Sequence, residues 1–362
     1  MRIAVDVMGG DQRPLAPIRG ALEALSARAD VQVLLVGQPE VIAPHLGDLA
    51  PRLRSRVEVV PAAEVIEPGE SPARAVLAKR QSSIAVGLQL CRDGGADGFV
   101  SAGNTGALTA GSVILWERIA GVERPAMPAV LPTVDSRGLV FLDVGAGTEA
   151  SARNLYDFAV MGSLYAQRAR GLPNPRVALL NVGTEEQKGT AVAKEAFALL
   201  QTAPIRFVGN VEGRDLFSDR ADVVVTNGFV GNIVLKVIEG FGSGLSQVMG
   251  RELRHSGLLT LIGAALAAKT LRGLRRRTDA TEVGGVPFLG VRGVCLKCHG
   301  SANARALRNG VLAVARLVES RLVPEIESAL SVLPGRPAVA PGAAAPSTPP
   351  RPGGTEGATA GA

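Results

Sequence analysis

Short runs of β-branched and aliphatic residues alternate with longer segments of helical spacing, and this alternation restricts the fold more than anything else in the chain. Runs at 3–7, 31–36, 57–60, 98–101, 139–144, 177–181, 205–209, 223–226 and 291–296 have the length and composition of strands. Several are apolar at nearly every position, the pattern of strands covered by helices on both faces. Between them, 15–28, 71–92, 104–119, 151–170 and 191–200 carry helical periodicity. Such a rhythm predicts an α/β fold, a mostly parallel, doubly wound α/β/α sandwich. A last helix is expected along the stripe Leu307, Val311, Val314, Val318 and Leu322, bending near Pro324.

A chain of 362 residues, 46% hydrophobic, can bury the core of one large α/β unit, read here as residues 1–333. From 334 to 362 the composition turns to Pro, Gly, Ala, Ser and Thr with almost no charge. That tail cannot bury enough surface to offset its ordering entropy and is expected to be disordered. No convincing internal repeat is visible. Only three cysteines occur, which indicates a reducing compartment. The start, M-R-I-A-V-D, enters a strand directly and lacks the apolar region of a signal peptide. No apolar run approaches the ~20 residues of a spanning helix, so a cytoplasmic location is expected. Aromatic residues make up 3%, which argues against base stacking and a nucleic-acid partner. A net charge of +6 is compatible with acidic partners.

In a parallel sheet the C-terminal strand ends share one edge, where ligands bind. The polar glycine turns of this chain fall at those ends: 8–11, 101–106, 181–186, 210–215, 226–232 and 297–301. Backbone N–H groups, amides and hydroxyls dominate them, with Lys297, His299 and Arg214 as the basic members. This chemistry suits a phosphate held without a metal cage, and neither metal nor cofactor is expected. The segment 293–303 combines a strand, the Gly300 turn and a helix with Ser301 as its expected N-cap, a natural anion site.

Three strings in the sequence compete with that reading. Cys295, Cys298 and His299 spell the haem-attachment pattern, but covalent attachment needs export, and no export signal is seen. The two cysteines would also point to opposite faces of a strand, and zinc lacks a second ligand pair. Gly145 to Ala150 matches the dinucleotide pattern G-x-G-x-x-A, yet no acid follows at the end of the next strand to take a ribose hydroxyl. A nicotinamide dehydrogenase therefore stays an alternative. Gly183 to Thr190 resembles a P-loop only superficially, because Lys188 precedes its second glycine. His45 and His255 sit among polar or basic residues and are assigned no role.

Residues 249–281 break the βα rhythm. An apolar run from Gly257 to Ala268 precedes Lys269, Arg272, Arg275, Arg276 and Arg277, and no acid lies between Glu252 and Asp279. Too short to span a bilayer, the run suits a basic amphipathic hairpin over 245–281. Leu258 and Ile262 would supply apolar contact, and Arg272, Arg275 and Arg276 charged contact. A membrane surface, a second copy of the chain and an acidic carrier protein are all open as its partner.

Seven motifs occur in an order typical of one family: A-V-D-V-M-G-G-D, S-A-G-N-T-G-A, F-A-V-M-G-S, N-V-G-T-E-E, G-N-V-E-G-R-D, G-F-V-G-N and G-V-C-L-K-C-H-G-S-A-N. The chain resembles the phosphate acyltransferases of bacterial phospholipid synthesis, the PlsX type, over about residues 1–333. Val7 and Cys298 stand where alanine is usual, and Gly147 where asparagine is usual; the last removes an amide, so that loop is assigned no contact. The resemblance implies transfer of a fatty acyl group from acyl carrier protein to inorganic phosphate. The acyl phosphate would pass to a membrane glycerol-phosphate acyltransferase. It further implies a fold like phosphotransacetylases and isocitrate dehydrogenases, a homodimer, and peripheral attachment to the inner face of the cell membrane. A phosphotransacetylase using acyl-coenzyme A is the nearest alternative.

On this reading Lys297 binds phosphate charge, and His299 takes the phosphate proton or stabilises the oxyanion. Asn104 and Asn232 are candidate oxyanion or phosphate donors. Gly9, Gly10, Gly103 and Thr105 offer backbone donors, and Asp11, Ser101 and Ser301 complete the expected phosphate and substrate contacts.

Overall fold

The computed structural model describes residues 1–47, 49–255 and 284–331, together with 257, 260 and 267. Its strands are β1 (Arg2–Asp6), β2 (Gln32–Gly37), β3 (Val57–Pro61), β4 (Gly98–Ser101), β5 (Ala129–Leu131), β6 (Leu139–Leu142), β7 (Arg176–Leu180), β8 (Arg206–Val211), β9 (Val223–Val225), β10 (Val286–Pro287) and β11 (Cys295–Lys297). The helices are α1 (Leu15–Ala27), α2 (Pro39–Ile42), α3 (Pro51–Arg54), α4 (Pro72–Ala78), α5 (Ser83–Arg92), α6 (Thr105–Trp116), α7 (Ala152–Arg170), α8 (Ala191–Gln201), α9 (Gly228–His255), α10 (Ala304–Glu319) and α11 (Leu322–Ser331).

The α/β class and the parallel pairing are as expected, but the strands divide between two sheets. One has the order β10-β11-β4-β1-β2-β3 and the other β5-β6-β9-β7-β8. Pairing is parallel except where β10 meets β11 and β5 meets β6, each at a sheet edge. The chain leaves the first sheet after β4 and α6, builds the whole second sheet, and returns through β10 and β11 beside β4. Bridges from Arg118 to Val291 and from Ala126 to Leu289 tie the outgoing and returning segments together.

Both faces of the first sheet are buried, which is why its strands read as continuous apolar runs. Along β1 and β2, Ile3, Val5, Val33 and Leu35 enter one core while Ala4, Leu34 and Val36 enter the other. Phe99 of β4 is fully buried, and a Cβ on Gly87 of α5 would lie 2.2 Å from its ring, so helix and sheet meet without a side chain between them. Burying such a ring stabilises the fold by about 1.5–3 kcal/mol.

Several local expectations change. The 71–92 helix is two helices, because the chain pairs with Glu64 at Ser82 and the Ser82 hydroxyl then accepts the Ala85 N–H at 3.3 Å to cap α5. The terminal helix breaks at Ser320 and Arg321, with Arg321 at φ 52°, and Pro324 sits in the first turn of α11, where its missing N–H is harmless. The strand expected over 291–296 is confined to β11, because Gly293 packs against the Trp116 ring. The long helix α9 was anticipated only from 245, where the expected helical hairpin begins, and not over 228–244. Leu258, Ile262, Arg272, Arg275 and Arg276, and the tail from 334, lie outside the described residues.

Candidate active site

β1 ends in Asp6, and everything around the candidate site is fastened to that buried carboxylate. Its Oδ1 accepts the Met8 N–H at 3.0 Å, and its Oδ2 accepts the Ser101 hydroxyl at 2.6 Å. Ser101 Oγ in turn accepts the Gly103 N–H at 2.9 Å. The turns after β1 and β4 are thereby locked together. Gly9 is the residue this closeness demands: a Cβ there would lie 2.5 Å from Asp6 Oδ2 and 2.6 Å from Gly103 N. Gly10, at φ 89°, adopts a backbone that side chains disfavour, and it faces Ala102 and the Gly300 carbonyl.

The turn after β11 closes on the same pair. Lys297 lies opposite Ser101 in the parallel ladder, and the Asp11 N–H donates to Gly300 O at 2.8 Å. Lys297 is buried, and its ammonium donates to Ala102 O at 3.3 Å and to Cys298 O. It therefore places a positive charge behind the 102–103 backbone instead of extending into solvent. Burial lowers the Lys297 pKa, opposed by charges that include Asp6. Burial likewise raises the Asp6 pKa, opposed by hydrogen bonds from Ser101, Ser83 and Met8 and by the Lys297 charge.

His299 is exposed at the tip of this turn. Its Nδ1 is 2.8 Å from Ser301 Oγ and receives the Ser301 N–H at 3.3 Å. A backbone N–H can only donate, so Nδ1 is the acceptor and the neutral ring carries its proton on Nε2. Ser301 thus orients the imidazole and is not the N-cap expected of it. Asn303 caps α10, its Oδ1 accepting the Ala306 N–H at 3.0 Å.

Asn104 is the N-cap of α6, with Oδ1 accepting the Ala107 N–H at 3.0 Å. Its Nδ2 donates to the carbonyls of Glu67 and Pro68, each at 3.2 Å, so the whole amide is engaged by the fold. Ser101 is likewise fully buried and committed to Asp6 and Gly103. Among the described residues, the N–H groups of Gly9, Gly10, Thr105 and Gly106 have no partner. Two glycine amides and the start of a helix thus converge where three strand ends meet. Backbone donors arranged in this way can hold an anion.

Asn232 belongs elsewhere. It stands exposed on α9, beside Gly145 of the second sheet. There Asp143, buried at the end of β6, accepts the N–H groups of Met127, Gly145, Ala146 and Gly147 at 2.9, 3.1, 3.0 and 3.0 Å. Those amides are therefore turned away from any pyrophosphate, the physical objection to a dinucleotide in the G-x-G-x-x-A turn. The 181–186 and 210–215 turns pair with each other, Asn210 Nδ2 donating to Glu185 O at 2.9 Å. The six turns expected on one edge thus form three clusters on two sheets. Asp6 and Asp143 were not singled out in the sequence; the signal was present in V-D-V-M-G-G and L-D-V-G-A-G, an aspartate ending a buried strand just before a glycine turn.

Comparison with solved structures places the fold, and comparison with related sequences gives the class. The fold matches a phosphotransacetylase from Streptococcus pyogenes with TM-score 0.61 and 16% identity, over 88% of this chain and 94% of that one. EutD phosphotransacetylase from Staphylococcus aureus matches with TM-score 0.58 and 16% identity, over 87% and 94%. The family model described as "Fatty acid synthesis protein" covers residues 1–324. A phosphate acyltransferase from Heliobacterium modesticaldum is 47% identical over 327 residues, 90% of this chain and 97% of that protein. One from Bacillus cereus is 42% identical over 330 residues, 91% and 98%. The chain belongs to this family, the phosphate acyltransferases of fatty-acid and phospholipid synthesis.

Proposed function

We propose that the chain moves a fatty acyl group from the thioester of acyl carrier protein to inorganic phosphate, releasing acyl phosphate and the free carrier thiol. The observation that carries this reading is the seat of unpaired N–H groups at Gly9, Gly10, Thr105 and Gly106, backed by the buried Lys297 charge. A phosphate held there is already a nucleophile, so no side chain needs to be acylated. Its oxygen bonds to the thioester carbon, the C–S bond breaks, and the electron pair leaves on sulfur. Thiols have a pKa near ~8.5, so the thiolate departs without a strong general acid. His299, with its proton on Nε2, donates to the oxyanion formed on attack and in that state cannot also act as base. Lys297 acts through its charge, and Asn104, Ser101 and Gly103 position the α6 N-terminus.

Asp11, exposed beside the seat, is proposed to contact the carrier or the acyl chain at its rim; Asn232, exposed beside the Gly145 turn, is given no part in the seat. Phe229, Ile233, Val237, Phe241, Leu245 and Met249 recur every four residues along α9 and are all exposed, Phe241 at 71%. A stripe of this size on one helix is covered in a homodimer, which is the role proposed for it. No described helix is long and apolar enough to cross a membrane. The basic residues Arg272, Arg275 and Arg276, with Leu258 and Ile262, are proposed to hold the protein peripherally on the inner membrane face. There it would pass acyl phosphate to a membrane glycerol-phosphate acyltransferase. No cofactor enters this scheme.

The deciding assay is acyl phosphate formation, trapped as the hydroxamate, from palmitoyl-acyl carrier protein and phosphate, with palmitoyl-coenzyme A in parallel. Product from the carrier thioester and little from coenzyme A is expected; the reverse preference makes it a phosphotransacetylase instead.

A further inference from the structure

A second site lies away from these loops. A cavity of about 590 Å³ opens between the β5–β6 hairpin, the C-terminal end of α7 and the second half of α10. That volume is within the ~300–1,000 Å³ typical of small-ligand sites. It lies where β6 begins and α7 ends, the opposite edge of the second sheet from the Asp143 turn.

The lining contains three arginines and no acid. Arg137 is neutralised by Asp135 and by Asp222. Arg170 and Arg316 make no ion pair with any described residue. Arg170 Nε is buried without a hydrogen-bond partner, and its other contact is a bond from Nη2 to the Arg137 carbonyl at 2.6 Å. Tyr165 is 8% exposed, and its hydroxyl has no partner among the described residues. Burial raises that phenol's pKa, and the charges of Arg170 and Arg316 oppose the shift, so both guanidinium groups act on it. The lining also has an apolar part, with Val130, Leu131, Ala313 and Leu317.

We propose that this cavity binds a single-chain anionic amphiphile, a fatty-acid or alkyl-phosphate anion, with its head on Arg170, Arg316 and Tyr165 and its chain along Val130, Leu131, Ala313 and Leu317. A small hydrophilic anion leaves the apolar lining wet, and a neutral chain leaves the Arg170 and Arg316 charges without a counter-charge in an acid-free lining; a ligand with both parts answers both. The site is separate from the acyl-transfer seat and does not depend on the reaction assigned to it.

The test uses the full chain and dodecyl phosphate bearing a terminal diazirine, followed by peptide mapping of the photo-crosslinks. Labelling of the 130–138 and 313–317 segments is expected, competed by dodecyl phosphate and not by inorganic phosphate at equal concentration. Arg316→Glu should reduce it about tenfold, the usual loss of one charge-assisted hydrogen bond. Ala313→Trp, which narrows the cavity beside Arg316 and Leu317, should do the same, with an unchanged Tm showing that both variants fold. His299→Ala should leave this labelling intact, which separates it from failure of the proposed reaction. Label confined to 8–11, 101–105 and 299–303 would overturn the proposal. So would label indifferent to both cavity variants, or displacement by inorganic phosphate as effective as by the alkyl ester.

Discussion

Replacing Gly9 by alanine adds one methyl group at the closest approach between the first two loops of the site. The added carbon would lie 2.5 Å from Asp6 Oδ2 and 2.6 Å from Gly103 N, where van der Waals contact needs roughly 3.5 Å. About 1 Å must therefore be recovered by movement. Neither neighbour is a free end. Gly103 N is backbone, bonded to Ser101 Oγ at 2.9 Å, and the Asp6 carboxylate is held by Ser101 at 2.6 Å and by Met8 at 3.0 Å. Overpacking of this kind costs about 1–3 kcal/mol, and breaking the Asp6–Ser101 bond inside the core a further 1–3 or so. A loss of about 2–6 kcal/mol lowers Tm by roughly 3–9 °C in a domain of this size. Displacing the Gly9 and Gly10 amides by about 1 Å should cost on the order of 100-fold in turnover. The measurements are differential scanning fluorimetry and the hydroxamate assay, with Gly213→Ala as control, because nothing lies within 4 Å of a Cβ there. Ser101→Ala removes the same bonds without the steric clash and should show part of the loss. A Gly9→Ala protein with wild-type Tm and turnover would refute both the tight packing and the location of the seat.

Three further outcomes are expected. His299→Ala should lower kcat by about 100- to 1,000-fold with little change in the KM for phosphate, while Ser301→Ala, which frees the ring, should cost about tenfold; equal losses in KM would make His299 a phosphate ligand instead. In Lys297→Met the Asp6 carboxyl loses the cation that opposes its upward shift, so its folded pKa rises further above the unfolded value. Such a group contributes stability that is present below the unfolded pKa of ~3.9 and lost as pH rises through the folded pKa. The Tm of the variant should therefore gain on wild type as pH falls towards the unfolded pKa, and parallel Tm curves would show that Asp6 and Lys297 are not coupled. Phe241→Asp, placing a charge in the exposed α9 stripe, should convert a dimer to a monomer in analytical ultracentrifugation without lowering Tm by more than ~2 °C; a variant that stays dimeric moves the interface elsewhere.

The strands were readable because a strand buried on both faces leaves a continuous apolar run, and nine such runs marked nearly all of the two sheets. Edge strands β5 and β10 are short and carry no such mark. Helix α9 carries an apolar stripe at four-residue spacing that the sequence reading did not use, and Gly231, Gly240, Gly242 and Gly244 lower its helical propensity and obscure it.

Of the residues singled out by type and position at a strand end, Gly9, Gly10, Gly103, Lys297 and His299 lie in loops that the structure brings together. Their tasks were not legible. Lys297 reads as a phosphate ligand in sequence, yet the parallel pairing of β11 with β4 turns its ammonium onto the Ala102 carbonyl. Asn104 and Ser101 read as free donors, and both are consumed by the turns they close. Asn232 reads as part of the same edge and lies on the other sheet. The reason is physical: side-chain period and turn chemistry are local properties, written in consecutive residues. Which strand ends meet, and whether a polar group faces solvent or a neighbour's carbonyl, depends on contacts between residues some 95 to 195 positions apart, as for Ser101 with Asp6 and Lys297 with Ala102.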